Sequence, residues 1–287
     1  MKTRVISGTV IAILLVAAYC LMFTPVIDVL FSLLAAAACF EITKVAGVKN
    51  PVLKVVAIAF SFALPLCLVY LHNIPLLEII VVLYVILLVV LTVANFSKTT
   101  ITFPELAVTV YASLVIPAAF ASIGLISDMY LRYPDFISRA DCRLLLWITV
   151  ATALLTDVFA YFVGVKFGKH KMTPNLSPKK SWEGAVGGVV CVLLFMLLSL
   201  VLFEKVLAKE SFFMPVWFYC ITVVFISITS MFGDLMASLI KRYYGVKDYS
   251  NLIPGHGGIM DRFDSVLLAS PTMFVLITIY GMVVGAV

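Results

Sequence analysis

Apolar runs about twenty residues long alternate with short polar breaks along almost the whole chain. They lie at 5–23, 26–43, 52–71, 75–95, 104–126, 143–165, 184–203, 213–232 and 263–286. Each is close to the roughly 20 residues that carry an α-helix across a hydrocarbon core. The runs are continuous, not alternating, so they predict helices and exclude a closed β-barrel. Pro25, Pro51, Pro75 and Pro104 stand at or beside run boundaries, where a missing N–H costs least. Pro65 and Pro117 lie inside runs and predict kinks. The expectation is an all-α, polytopic integral membrane protein with about nine transmembrane helices.

Composition agrees with the pattern. Of 287 residues, 63% are hydrophobic and 12% charged, with a mean hydropathy of +1.16, whereas soluble domains carry about 25% charged residues. Nine crossings would use about 180 positions, which leaves no room for a separate soluble domain, and no nucleic-acid partner is expected. Cys20, Cys39, Cys67, Cys142, Cys191 and Cys220 are scattered, with no C-x-x-C pair and no zinc spacing, so they predict packing.

Lys2 and Arg4 precede the first run as in a signal peptide, but Tyr19-Cys20 interrupts the small pair Ala17-Ala18 where cleavage would be sought. A retained first helix is the expectation. Fifteen of the 20 Lys and Arg residues fall in the N-terminus and the even-numbered loops; the odd loops carry Arg132, Arg139, Arg143, Lys205 and Lys209. Positive charge stays in the cytoplasm. The amino terminus is therefore expected inside and the carboxyl terminus outside, with the sixth and eighth loops cytoplasmic.

Acidic residues before position 127 are limited to Asp28, Glu41, Glu78 and Glu105, near run ends or loops. This divides the chain into 1–126, apolar helices that pack and face lipid, and 127–287, a C-terminal region expected to hold the chemistry.

Three polar constellations stand out there. Asp157 lies deep in a run, where a carboxylate is costly unless it meets a partner or a polar cavity. It shares a helical face with Tyr161, Gly164 and Gly168, and Ala160, Gly164 and Gly168 form a ladder of small residues suited to close packing. The second is the sixth loop, 168–184, rich in Lys and hydroxyls. Ser181, followed by Glu183 and Gly184, suits a helix start, and Lys179 and Lys180 beside it could hold phosphates. The same loop could equally serve only to fix orientation or attract anionic lipid.

The third constellation is the richest. Asp234, Ser238, Lys241 and Arg242 fall on one helical stripe. Beyond them come Lys247, Asp248, then Pro254-Gly-His256-Gly-Gly258-Ile-Met-Asp261-Arg262-Phe-Asp264. Asp261 and Asp264, at i and i+3, can point the same way and repel each other unless a cation joins them. Mg²⁺ held by carboxylates and phosphate oxygens is the natural solution, which predicts a metal site shared with a nucleotide. Gly255, Gly257 and Gly258 would let backbone N–H groups approach an anion, with His256 between them. A plain turn with Asp261 as a helix cap accounts for the glycines but not for the whole set of charges.

The stretch Ser238-Leu-Ile-Lys241-Arg242, four residues, Lys247-Asp248, then Pro254 to Asp264 closely resembles the signature of the phosphatidate cytidylyltransferases, the CDP-diacylglycerol synthases. The likeness extends upstream to Asp157, Ala160-Tyr161, Gly164 and Ser177-Pro-Lys-Lys-Ser181-Trp-Glu183-Gly184, covering about 152–268. The resemblance implies transfer of CMP from CTP to phosphatidate, giving CDP-diacylglycerol and pyrophosphate for phospholipid biosynthesis. On that reading Asp234 and Asp261 are expected as Mg²⁺ ligands, with Asp264 as a further ligand or as a group orienting the metal's water, and all three as catalytic groups with Lys241 and Arg242. Substrate contacts would come from Asp157, Ser177, Lys179, Lys180, Ser181, Glu183, Ser238, Lys247, Asp248, His256 and Arg262. A monovalent cation, K⁺, beside the Mg²⁺ and a homodimer are further implications of the resemblance; the charge pattern puts the site on the cytoplasmic side, and a bacterial inner membrane is the expected location. An ion-coupled membrane transporter would also use Asp157 and glycine-rich helix breaks, and a CTP-dependent lipid kinase would share the phosphate chemistry.

Overall fold

Eight helices among the described residues are long and apolar enough to cross a bilayer. The computed structural model describes residues 16–71, 74–94, 101–174, 176–202 and 214–285, together with Thr9 and Ile13. In chain order the elements are α1 (Pro25–Val45), α2 (Pro51–Tyr70), α3 (Ile74–Ala94), α4 (Phe103–Val110), a π-helical turn at Tyr111–Val115, α5 (Ile116–Arg132) and α6 (Arg139–Phe167). A short hairpin follows, β1 (Lys171–Thr173) and β2 (Ser177–Ser181), then α7 (Trp182–Leu202), α8 (Val216–Tyr243), α9 (Met260–Phe263) and α10 (Val266–Val283). The protein is an all-α polytopic integral membrane protein, and its described residues include one small hairpin. The first predicted run, 5–23, lies largely outside the described residues, although 16–20 are helical.

Prolines and polar caps set the boundaries. Pro25 and Pro51 open α1 and α2, and the Asn50 side chain accepts from the Val52 and Leu53 N–H groups at 2.9 and 3.1 Å, two of the donors a helix start leaves unpaired. Helix α2 runs on through Pro65. Pro117 stands two residues beyond the last residue of the π-helical turn; a widened turn is where a helix absorbs a residue that cannot donate. Pro271 lies inside α10, which the reading of the sequence did not single out.

The chain forms two compact units, 1–125 with 243–262, and 126–242 with 263–287. In the first, Val48, Leu53, Tyr84, Leu88 and Ile101 form a buried cluster. Tyr84 stacks on Phe60 and donates to the Ser113 hydroxyl at 2.6 Å, so its polar end is matched inside an apolar layer. Helix α3 buries Tyr84 and Leu88 and leaves most of its side chains exposed, as expected of a helix surrounded mainly by lipid.

In the second unit, α6 and α7 pack tightly because the contact is lined by small residues. A methyl group on Gly184 would lie 2.6 Å from the Ala160 carbonyl oxygen, and one on Gly188 would lie 3.0 Å from the Ala160 backbone. The predicted ladder of small residues is the face on which this pair meets. At the start of α6, Asp141 closes a capping box with Ser138 and accepts from the Tyr219 hydroxyl at 2.7 Å, tying α8 to α6.

Candidate active site

Four separate segments of the second unit bring charged side chains together. Helix α6 supplies Asp157, β2 supplies Lys180, α8 supplies Asp234, and the junction between α9 and α10 supplies Asp264 and Ser265. The Lys180 ammonium lies 2.5 Å from Asp234 Oδ2 and 3.5 Å from Asp157 Oδ1. Ser265 Oγ donates to Asp157 Oδ2 at 2.9 Å, and the Ser265 N–H donates to Asp264 Oδ1 at 2.8 Å. Lys180 can reach this position because the sixth loop is not a plain loop. Strands β1 and β2 form an antiparallel hairpin pairing Lys171 with Ser181 and Thr173 with Ser177, and β2 runs directly into α7.

The hairpin is anchored at its base. Glu183 bonds His170 Nδ1 at 2.6 Å and accepts from the Lys169 and His170 N–H groups, and Ser181 Oγ accepts from the Gly184 N–H at 3.2 Å, capping α7. Ser181 and Glu183, both expected to touch substrate, thus have defined bonds within the chain that aim Lys180. Lys179 is exposed and Ser177 half-buried on the same strand.

Charge in this cluster is not balanced by Lys180. Burial first, then the negative charge of Asp234, pushes the Asp264 carboxyl up to about 7; the Ser265 N–H and the Lys241 charge pull the other way. Burial alone would lower the Lys180 pKa, but Asp157 and Asp234 outweigh it and the net shift is upward, so Lys180 stays protonated. A carboxyl with a raised pKa beside two further aspartates is short of positive charge, and a cation or cationic side chain brought near Asp264 would restore its ionised form. Among the described residues no group of three or more His, Cys, Asp and Glu side chains is arranged to hold a metal by itself. The donor set still suits Mg²⁺, which takes one or two carboxylates and completes its shell with water and phosphate oxygens.

The first unit contains the other part of the signature. Asp261, in α9, accepts at Oδ2 from the Tyr249 and Gly258 N–H groups at 2.8 and 3.0 Å. Glu41, in α1, accepts from Ser250 Oγ, Ile259 N–H and Met260 N–H at 2.5, 3.0 and 2.9 Å. The expectation that the glycine-rich loop offers its backbone to an anion is therefore corrected for its last stretch: the consecutive N–H groups of Gly258, Ile259 and Met260 serve Asp261 and Glu41. Asp261 and Asp264 also do not share a helix, since α9 ends at Phe263 and α10 begins at Val266. Lys247, Asp248 and Arg262 are exposed and His256 half-buried in this segment; Lys241 and Ser238 are half-buried and Arg242 exposed on α8.

The sequence profile of the cytidylyltransferase family matches residues 2–280. The phosphatidate cytidylyltransferase of Bacillus subtilis is 31% identical over 289 residues, covering 98% of this chain and 99% of that protein. The chain belongs to the cytidylyltransferase family. Proteins of the same name from Staphylococcus haemolyticus and Mycobacterium bovis are 36% and 33% identical over 142 and 177 residues, about half of each relative's length. Family membership makes the chain a CTP-using nucleotidyltransferase.

Two functional candidates escaped the sequence. Ser265 follows Asp264 directly, but nothing local announces that its hydroxyl crosses to Asp157. Glu41 stood among acids near run ends; its signal was a carboxylate inside the apolar stretch 26–43, which merits suspicion in a membrane helix.

Proposed function

We propose that this protein is a phosphatidate cytidylyltransferase, an enzyme of CDP-diacylglycerol synthesis in phospholipid biosynthesis, working in a bacterial inner membrane from its cytoplasmic side. The observation that carries this reading is the cluster of Asp157, Lys180, Asp234 and Asp264, drawn from four segments in a chain of the cytidylyltransferase family. A cationic side chain held between carboxylates, with unbalanced acid beside it, suits a substrate pair that brings both phosphate charge and a hard cation.

The reaction needs no nucleophile from the protein. An oxygen of the lipid phosphate forms a new bond to the α-phosphorus of CTP while the bond to the bridging oxygen breaks, and pyrophosphate leaves with that electron pair. Such a displacement rests on alignment and charge neutralisation. Lys180 is the residue best placed to neutralise phosphate charge: Asp157 and Asp234 keep it protonated and fix its direction. Lys241 and Arg242, in the last turn of α8, add positive charge where Asp264 and Asp234 supply negative. Ser177, Lys179, Ser238, Lys247, Asp248, His256 and Arg262 are assigned to substrate contact from their places in the signature.

Mg²⁺ held by Asp234 and Asp264 would supply Lewis acidity and orient the phosphates. Asp261 keeps its assignment to metal binding from the signature, and K⁺ and a homodimer complete the proposal. The test is purified protein in detergent, supplied with CTP, phosphatidate and Mg²⁺. CDP-diacylglycerol identified by mass and pyrophosphate in equal amounts, each requiring all three components, is the expected result. Folded, lipid-supplied protein that makes neither would overturn the reading.

A further inference from the structure

Glu41 is 2% exposed and lies on a helix whose other acid, Asp28, is separated from it by more than three turns. A buried carboxylate is tolerated when its oxygens are matched by donors, and here the donors come from a segment more than two hundred residues away in sequence. Ser250 Oγ and the Ile259 N–H reach Oε1, and the Met260 N–H reaches Oε2. Ser250 Oγ in turn accepts from the Leu252 N–H at 3.1 Å, so one carboxylate fixes both ends of the loop 250–260. Gly258 completes the fit: a methyl group there would stand 2.5 Å from Oε2 and 2.6 Å from Oε1 of Glu41, so any side chain would expel the carboxylate.

We infer that Glu41 is a positioning residue for the reaction, setting the conformation of the loop that carries His256 and leads into Asp261. This rests on the function proposed above. Glu41 and Asp261 divide the backbone donors of this loop between them, Asp261 taking Tyr249 and Gly258 and Glu41 taking Ile259 and Met260. Removing Glu41 frees a run of two buried N–H groups and a hydroxyl, and the start of α9 loses its reference point. The first, motif-poor part of the chain thus sets the conformation of a loop that belongs to the signature.

The test compares full-length Glu41→Ala, Glu41→Gln, Ser250→Ala and the double variant Glu41→Ala/Ser250→Ala with Thr43→Ala. Thr43 is buried on the same helix, and its hydroxyl donates to the Cys39 carbonyl at 2.8 Å within that helix, so its variant reports general loosening of α1. Glu41→Ala is expected to lower kcat roughly 10- to 100-fold, the range seen when a group orienting a functional residue is removed, with a melting temperature in detergent close to that of Thr43→Ala. Glu41→Gln, which keeps an acceptor at one oxygen, should fall between wild type and Glu41→Ala. The double variant should fall well short of additivity, because both changes remove the Glu41–Ser250 bond, and only the Leu252 N–H bond to Ser250 is lost in addition. A kcat for Glu41→Ala within twofold of wild type, or full additivity with Ser250→Ala, overturns the inference. Hydrogen exchange of the Ile259 and Met260 amides reads it independently of turnover: protection lost in Glu41→Ala and kept in Thr43→Ala supports it, and unchanged protection overturns it. Wild-type protein inactive with CTP and phosphatidate would sink the proposed function alone.

Discussion

Two carboxylate sites in this chain solve the same problem in opposite ways. In the second unit, Asp157 and Asp234 face a side-chain cation, Lys180, and Asp264 is left with excess negative charge. In the first, Glu41 and Asp261 face backbone N–H groups and a serine hydroxyl. Partners on a flexible lysine can be exchanged for substrate and metal without disturbing the fold; partners on the backbone cannot, because releasing them rebuilds the loop. The difference separates carboxylates whose partner is an exchangeable side chain from carboxylates whose partners are fixed backbone donors that shape a loop.

The largest expected effect strikes the exchangeable side. Asp234→Asn removes the closest partner of Lys180 and a proposed Mg²⁺ ligand, and turnover should fall by on the order of 100-fold or more, as when a group stabilising transition-state charge is lost. Retention of a tenth of wild-type activity in a steady-state pyrophosphate assay would count against a chemical role. Lys180→Met should lose a similar factor, about 100-fold, and raise the KM for CTP.

Asp261→Asn sharpens the comparison, because an amide oxygen can still accept from Tyr249 and Gly258 N–H. A drop of about 100-fold with unchanged exchange at Gly258 would assign the loss to charge, as a metal ligand requires; near-normal turnover would leave Asp261 only its part in shaping the loop. A smaller effect, on stability and not on chemistry, is expected for Asp141→Ala. The buried Tyr219 hydroxyl and the α6 cap lose their acceptor, at about 1–3 kcal/mol, visible as a lower melting temperature in detergent. Lys44→Ala, in no motif, should leave both turnover and melting unchanged within error.

Run length was enough to place eight of the nine expected helices among the described residues, because a twenty-residue apolar run has few other fates in a bilayer, although the run 213–232 stopped short of the end of α8 at Tyr243. The runs at 26–43, 52–71 and 75–95 match α1, α2 and α3 to within two residues. The run 104–126 is the visible part of a longer helix to Arg132 that includes a π-helical turn just before Pro117; the proline was legible in the sequence and the form of the turn was not. The hairpin at 171–181 was hidden by composition: Lys, Pro and Ser are poor strand formers, and the strands exist because Glu183 and Ser181 tie the base. Asp157 stood out as a carboxylate inside an apolar run and Asp234 as the start of a polar stripe beyond one; the helix of Asp234 continues from that run to Tyr243. Their joint contact with Lys180 was not legible, since it depends on how three elements pack. Glu41 was missed because its three partners lie in a segment that only the fold returns to it.

The central claim is that the group leaving CTP for the lipid is the cytidylyl group, and isotopic label decides it. Purified protein would be given phosphatidate, Mg²⁺ and CTP labelled either at the α- or at the γ-phosphorus, and the extracted lipid counted. The account predicts α-label in the lipid and γ-label in pyrophosphate, with both transfers lost in Asp234→Asn. γ-Label in the lipid would identify a CTP-dependent kinase and contradict the account.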